Sequence, residues 1–314
     1  MKGLKELTLA NFNCTFGEDE KCLEPMLTYF VEVVLPAFKD ERKFRGYYFY
    51  DVSLKEHEEF GYYLYGRVVK DTVLEIKSRF NSTNQRLEDT DEKYSSSPYS
   101  EFILLLKNHR MIFINGQKGS PTLSNLKTLI TGNIRRVIKE YNSRQESGNE
   151  VLSLYELNLT EITKNRNVIE QIRNFEKISR FSLEFFALNN DIHMDELFKS
   201  LQKSREKSKS KTLEPVFHNP EDKEYIANLI QNTNGMANFS MTAKEKPGEA
   251  QKVYKNGDFK EKIELYFPEH ETPHNNEILA INTALLDARV NVVSKSNLSI
   301  YNKIKSKIIS LLIK

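Results

Sequence analysis

Two periods of apolar and polar residues alternate along this chain, and the changes of period divide it into elements. Residues 7–12 suit a short strand, and residues 23–38 carry apolar side chains at helical spacing as far as Pro36. Two aromatic runs, GYYFYD at 46–51 and GYYLY at 61–65, flank a charged break at 55–59 and predict a hairpin. Residues 68–79 alternate like a strand, whereas 81–97 are rich in Ser, Thr, Asp and Glu and read as a mobile loop. The runs 101–106 and 111–114 flank Lys107-Asn-His-Arg110 as a second hairpin. Pro121 then opens a helix in which Leu123, Leu126, Leu129, Ile130, Ile134 and Val137 recur toward Tyr141.

The segment SRQESGNE at 143–150 reads as a linker and divides the chain into domains 1–145 and 146–314. Beyond it the pattern predicts a strand at 151–159, a helix at 165–177, a strand at 178–188 and a helix at 194–205. Asn219-Pro220 opens a further helix carrying Tyr225, Ile226, Leu229 and Ile230, and two helices (276–293 and 298–313) close the chain. Between them, residues 236–267 (MANFSMTAKEKPGEAQKVYKNGDFKEKIELYF) alternate and break at Pro247-Gly248 and Asn256-Gly257, as a β-meander with lysine-lined turns does. The expected class is α+β with two mixed domains: a hairpin-rich N-terminal sheet with helices, and a C-terminal domain carrying the lysine-lined meander.

Hydrophobic residues make up 39% of the 314 positions and charged residues 29%, enough apolar material for one large or two medium cores. A net charge of +2 excludes a polycation, so any nucleic-acid site has to come from local clustering of bases. Two cysteines, Cys14 and Cys22, are too few for a disulfide scaffold or a thiolate-only zinc site. The opening segment lacks the apolar core of a signal peptide, and the longest apolar runs (30–38 and 308–313) fall short of a bilayer span. A soluble cytoplasmic protein is the expectation, and no cofactor is indicated.

The candidate chemistry is basic. Lys244, Lys246, Lys252 and Lys255 surround the meander turns, and earlier in the chain Arg205, Lys207, Lys209 and Lys211 form a run opposed only by Glu206, of which Lys207, Lys209 and Lys211 are the candidate contacts. Flexible lysines neutralise phosphates without reading sequence, so the two groups together predict a face that holds a polyanion. A second constellation is Asp51 with Glu75-Ile76-Lys77. A strand-end aspartate followed by Glu-x-Lys is the skeleton of a class of Mg²⁺-dependent nucleases, in which the carboxylates hold the metal and the lysine positions water. The same tripeptide also suits an exposed strand edge. His270 and His274 have metal-like spacing beside Glu269 and Glu271, but Pro268 and Pro273 forbid a regular helix there and no third ligand is near, so no metal site is predicted. The remaining histidines have no nucleophile partner in sequence. The tyrosine runs fit amphipathic core strands before they fit a stacking platform for bases, and NGQKGSP at 115–121 lacks the Gly-Lys-Ser/Thr of a phosphate loop.

Three segments carry a resemblance. They are PYSEFILLLKNHRMIFINGQKGSPTLSNLKTLI at 98–130, FHNPEDKEYIANLIQNTNGMANFSMTAKEKPGEAQ at 217–251, and NNEILAINTALLDARV at 275–290. In element order and local pattern the chain resembles the RexA-like proteins, the DNA-binding component of the phage lambda Rex exclusion system. The resemblance implies sequence-independent binding of double-stranded DNA, a homodimer, and a role in anti-phage exclusion beside a membrane effector encoded nearby. It also implies that a strand with the pattern Ser-x-x-Ala-Lys contacts DNA; here that strand is Ser240 to Lys244. Lys244 matches the family's basic position. The second basic position falls on Thr242, and Lys246 stands close enough to replace it. A Mg²⁺-dependent nuclease and a protein-interaction module without nucleic acid remain open alternatives at this point.

Overall fold

The computed structural model describes residues 3–18, 23–145, 151–162, 165–186, 196–233, 236–259, 262–268 and 272–312. The chain begins with strands β1 (Gly3–Phe16) and β2 (Glu24–Pro25), a 3-10 turn, a π-helical turn and the short helix α1 (Leu35–Phe38). Four strands follow, β3 (Tyr47–His57), β4 (Gly61–Lys70), β5 (Thr72–Asn81) and β6 (Arg86–Ser96). Then come β7 (Tyr99–Leu105), β8 (Arg110–Ile114), α2 (Leu123–Ser143) and β9 (Leu154–Glu161). The middle of the chain supplies α3 (Asn165–Asn174), β10 (Lys177–Phe186), α4 (Glu196–Ser208), β11 (Thr212–Leu213), β12 (Val216–His218) and α5 (Lys223–Thr233). Last come β13 (Ala237–Lys244), β14 (Lys252–Lys255), β15 (Lys262–Phe267), α6 (Pro273–Leu285), α7 (Ala288–Asn291) and α8 (Lys295–Leu312).

The class is α+β, as expected. The large sheet runs in the order β15-β1-β8-β7-β4-β3, with β9 and β2 also paired to β1. Its strands alternate between two buried faces, because helices cover both sides. Ala10, Phe12, Leu64, Phe102, Leu104 and Phe113 pack under α1, α2 and α8. Leu7, Leu9, Tyr63, Tyr65, Ile103 and Ile112 pack under α6 and α7. Tyr62, Tyr63 and Tyr65 are therefore core residues and not a stacking platform. The small sheet, β11-β10-β13-β14 with β12 on β10, has a separate core. Phe181, Leu183, Phe239 and Met241 pack there against Val168, Ile172, Ile226 and Ile230 of α3 and α5.

The large sheet is packed on both faces and the small sheet has its own core, but these two units do not divide at 145/146. β9 and β15 come from the second half of the chain, yet both pair with β1, with Phe12 opposite Leu159 and Leu7 opposite Ile263. The small unit is inserted between them. The physical reason is the length of β1. Its 14 residues offer a whole edge that β8 does not cover, and any later strand with the right alternation can fill it. A hydrated linker marks where the chain is exposed, not which sheet its next strand joins. For the same reason the expected meander is split: β13 and β14 stay in the small sheet while β15 leaves for β1.

Residues 81–97 are not a loop. β6 pairs with β5 as a two-stranded ribbon in which Glu75 faces Lys93 and bonds to it at 3.2 Å, and Phe80 faces Leu87. The amides of Asn81 and Asn84 donate to Glu88 at 2.8 and 2.9 Å. The polar composition that suggested a loop is cross-strand pairing.

One buried carboxylate clamps a helix to the large sheet. Glu277 of α6, 3% exposed, accepts bonds from Lys55 of β3 at 2.7 and 2.8 Å and from the Tyr63 hydroxyl of β4 at 3.2 Å. Glu277→Ala is expected to cost about 2–4 kcal/mol, since it strands a half-buried ammonium and a buried hydroxyl. Urea denaturation monitored by circular dichroism checks this, with a shift of midpoint at unchanged slope as the expected result.

Candidate nucleic-acid interface

β13 alternates without a break. Ala237, Phe239, Met241 and Ala243 point into the small core, and Asn238, Ser240, Thr242 and Lys244 point out. β10 sets its own outward residues beside them: Lys177 opposite Lys244, Arg180 opposite Thr242, Ser182 opposite Ser240, Glu184 opposite Asn238. One extra residue, Ser179, falls at the register shift, and its hydroxyl donates to the Thr242 carbonyl at 3.1 Å. β14 adds Val253 and Lys255 to this face, and β12 adds His218 and Val216.

The outward face is electrostatically polarised. Lys177, Lys244, Arg180 and His218 lie toward one end, where Lys244 meets the Glu176 carboxylate at 3.2 Å and Arg180 reaches back to Glu214 at 3.9 Å. At the other, Glu184 and Glu214 join Glu161 of β9 and Asp258 around a cleft of about 620 Å³. There the Asn238 amide donates to Glu184 at 3.0 Å, and the Thr160 hydroxyl of β9 donates to Asn238 at 3.2 Å, tying the small sheet to the large one. Lys127 of α2 lies nearby and donates to Asn158 at 2.9 Å. Burial holds its amine below the usual lysine range, against the opposing pull of Glu156, Glu184 and Glu161.

The seven predicted lysines do not form one surface. Lys244 is 25% exposed and bonds to Glu176 at 3.2 Å. Lys246 is exposed in the following turn. Lys252 stands opposite the inward-pointing Ala243, so it projects from the other side of the sheet and bonds to Glu245 at 3.3 Å. The Tyr254 hydroxyl donates to the same carboxylate, and these two partners hold Glu245 below the usual carboxylate range. Burial, with that bond, pushes Tyr254 up to about 12. Lys255 shares the outward face with Lys244 but lines the acidic cleft. Lys207, Lys209 and Lys211 are exposed around the C-terminus of α4, just before β11. β11 joins β10 at Phe185 and Phe186, whereas Lys244 joins it at Lys177. At about 3.3 Å per residue the two groups are roughly 25 Å apart along the strand. Arg205, from the same basic run, is buried, and its guanidinium donates to the Ser210 carbonyl at 3.1 Å. It closes the end of α4, where Lys209 takes a left-handed φ of 53°.

Lys177 and Arg180 are the basic residues that sequence reading missed. Strand β10 was expected, and its alternation already puts Arg180, Ser182 and Glu184 on one side. Only the register with β13 brings Lys177 beside Lys244.

The nuclease constellation is divided between sheets. Asp51 lies on β3, where it takes a left-handed φ of 54° and accepts a bond from Arg67 at 3.0 Å. Glu75 and Lys77 lie on the β5–β6 ribbon, with Glu75 held by Lys93. The chain leaves the large sheet at Asp71, and this carries the Glu-x-Lys strand away from β3. Among the described residues no three His, Cys, Asp or Glu side chains are placed to hold a metal ion. His274 stands 3.9 Å from Glu277, and His270 lies outside the described residues. No helix among the described residues is long and apolar enough to cross a membrane. No protein-family model matches the chain, and no curated protein matches it in sequence.

Proposed function

We propose that the Lys177–Lys244 end of the small sheet binds the phosphate backbone of double-stranded DNA without regard to sequence. The observation that carries the reading is the register of those two lysines. Like charges directly opposite on a sheet repel. Lys177 and Lys244 stand side by side, with Arg180 in the next outward row and Lys246 in the adjoining turn; Glu176 and Glu214 each meet one of these bases, and a bound anion would relieve the repulsion that remains. A duplex backbone supplies a row of anions at a spacing that long side chains can follow, and lysines give charge without base readout. The carboxylates around Glu184 repel the same backbone, so they fix which end of the face engages. The RexA-like pattern at Ser240 to Lys244 supports this placement and extends the reading to anti-phage exclusion, with a membrane effector as the downstream partner.

Four phosphate contacts (Lys177, Arg180, Lys244, Lys246) predict a plot of log affinity against log salt with a slope of about −3 to −4. Between 50 and 200 mM salt, affinity for a labelled duplex should then fall roughly 60-fold or more. Fluorescence anisotropy with several unrelated duplexes of one length measures this. Equal affinities with that slope are the expected result. Absence of binding at 50 mM salt, or binding that salt does not weaken, overturns the reading.

A further inference from the structure

We propose that the outer edge of β5 pairs antiparallel with β5 of a second copy of this chain, centred on Ile76. This goes beyond duplex binding and does not depend on it.

The β5–β6 ribbon is a sheet of two strands only, so each strand has one unpaired edge. The β6 edge is defended. It bulges at Thr90 and Asp91, opposite Lys77, and it carries Glu88, Asp89, Asp91 and Glu92. The β5 edge has no proline, no bulge of its own and no run of like charge; its sequence from Thr72 is TVLEIKSRFN. Such an edge is a template for another strand.

The ribbon is also amphipathic. Leu74, Ile76, Ser78 and Phe80 share one face with Tyr94, Glu92, Asp89 and Leu87, their cross-strand partners. Four of these apolar side chains stand far out in solvent: Leu74 56%, Phe80 60%, Leu87 74% and Tyr94 52%. An isolated two-stranded ribbon is marginal in water, and a wider sheet with a larger apolar face is stable.

Charge decides the occupant. Two copies of β5 related by a two-fold axis normal to the ribbon keep their apolar faces on one side only if each residue meets one of the same face. Centred on Glu75, the pairing sets glutamate against glutamate. Centred on Lys77, it sets lysine against lysine. Centred on Ile76, it sets Glu75 against Lys77 of the second copy, twice by symmetry, with Leu74 against Ser78 and Val73 against Arg79. No like charges oppose in that register. Lys93, already bonded to Glu75, extends the row so that signs alternate across the joined strands. The Glu-x-Lys spacing thus makes this edge complementary to itself, and a four-stranded sheet β6-β5-β5-β6 results.

Sedimentation velocity of the full chain over a range of concentrations tests the pairing. The unaltered chain should dimerise. Glu75→Lys and Lys77→Glu should each weaken dimerisation by roughly 10-fold or more, since each places like charges in both contacts. An equimolar mixture of the two variants should recover a heterodimer, because one chain then presents two lysines and the other two glutamates. The double variant Glu75→Lys/Lys77→Glu should dimerise with itself. Recovery in the mixture separates lost pairing from misfolding. A monomer at every concentration, single variants that dimerise as the unaltered chain does, or a mixture that stays monomeric would each overturn the proposal.

Discussion

Replacing Lys177 and Lys244 together by glutamate is expected to lower duplex affinity roughly 100-fold or more at moderate salt, by removing two phosphate contacts and adding two repulsive charges. The two residues face each other across β10 and β13, so the pair acts as one patch. Lys244 is partly neutralised by Glu176, and a Lys244→Glu change alone would also release that carboxylate to repel the backbone. The informative control is the triple change Lys207→Glu, Lys209→Glu, Lys211→Glu. Those residues lie at the other end of β10, with Glu184 between, and long-range screening leaves them a change of about 5-fold or less. Anisotropy titrations of both variants against one duplex, at one salt concentration, give the comparison. If the triple change does the greater damage, the contact face lies at the α4 end and the Lys177–Lys244 assignment fails.

The largest expected loss of stability is at Phe102→Ala, about 3–5 kcal/mol. Phe102 lies at the centre of the large sheet, fully buried, with ring centroids 5.1 Å from Phe38 and 5.6 Å from Phe49. Its neighbour across the strands is Gly66 of β4. A Cβ on Gly66 would come within 2.7 Å of the Phe102 ring, so the glycine is the slot in which the ring lies. Removing the ring leaves a cavity that neither backbone can fill, which places the change at the costly end of the range for aromatic truncation. Urea denaturation should show a lower midpoint. Duplex affinity measured without denaturant should be unchanged, because the small sheet has its own core around Phe181 and Phe239. A midpoint shift below about 1 kcal/mol would mean that the α1 layer collapses onto the sheet.

Local elements were the legible part of this fold. The helix after Pro121 appears as α2, capped by reciprocal bonds between Thr122 and Asn125. The hairpin around Lys107 to Arg110 appears as β7 and β8. The alternation of 237–244 gave the inward and outward sides of β13 directly. What the sequence hid was pairing between distant segments. Nothing near residue 262 says that β15 joins β1, and nothing near Lys177 says that it meets Lys244. The ribbon was hidden for a different reason: its polar pairs satisfy one another across strands, and read along one strand they resemble a loop. The lysines could be counted in sequence. Their sides could not be, because the turn between β13 and β14 sets the register that sends Lys252 to one side and Lys255 to the other.

The insertion of the small sheet has a geometric corollary. β9 ends with Glu161 opposite Ala10, and β15 begins with Lys262 opposite Thr8. Those positions are two residues apart on β1, so the chain departs from the large sheet and re-enters it across a gap of roughly 7 Å. To the large sheet, everything in between is a single loop whose ends are already joined. The small sheet, for its part, begins and ends at one point on its own surface. Each unit therefore meets the condition for a self-contained module, and the chain is organised as a host and a guest, not as two halves in series.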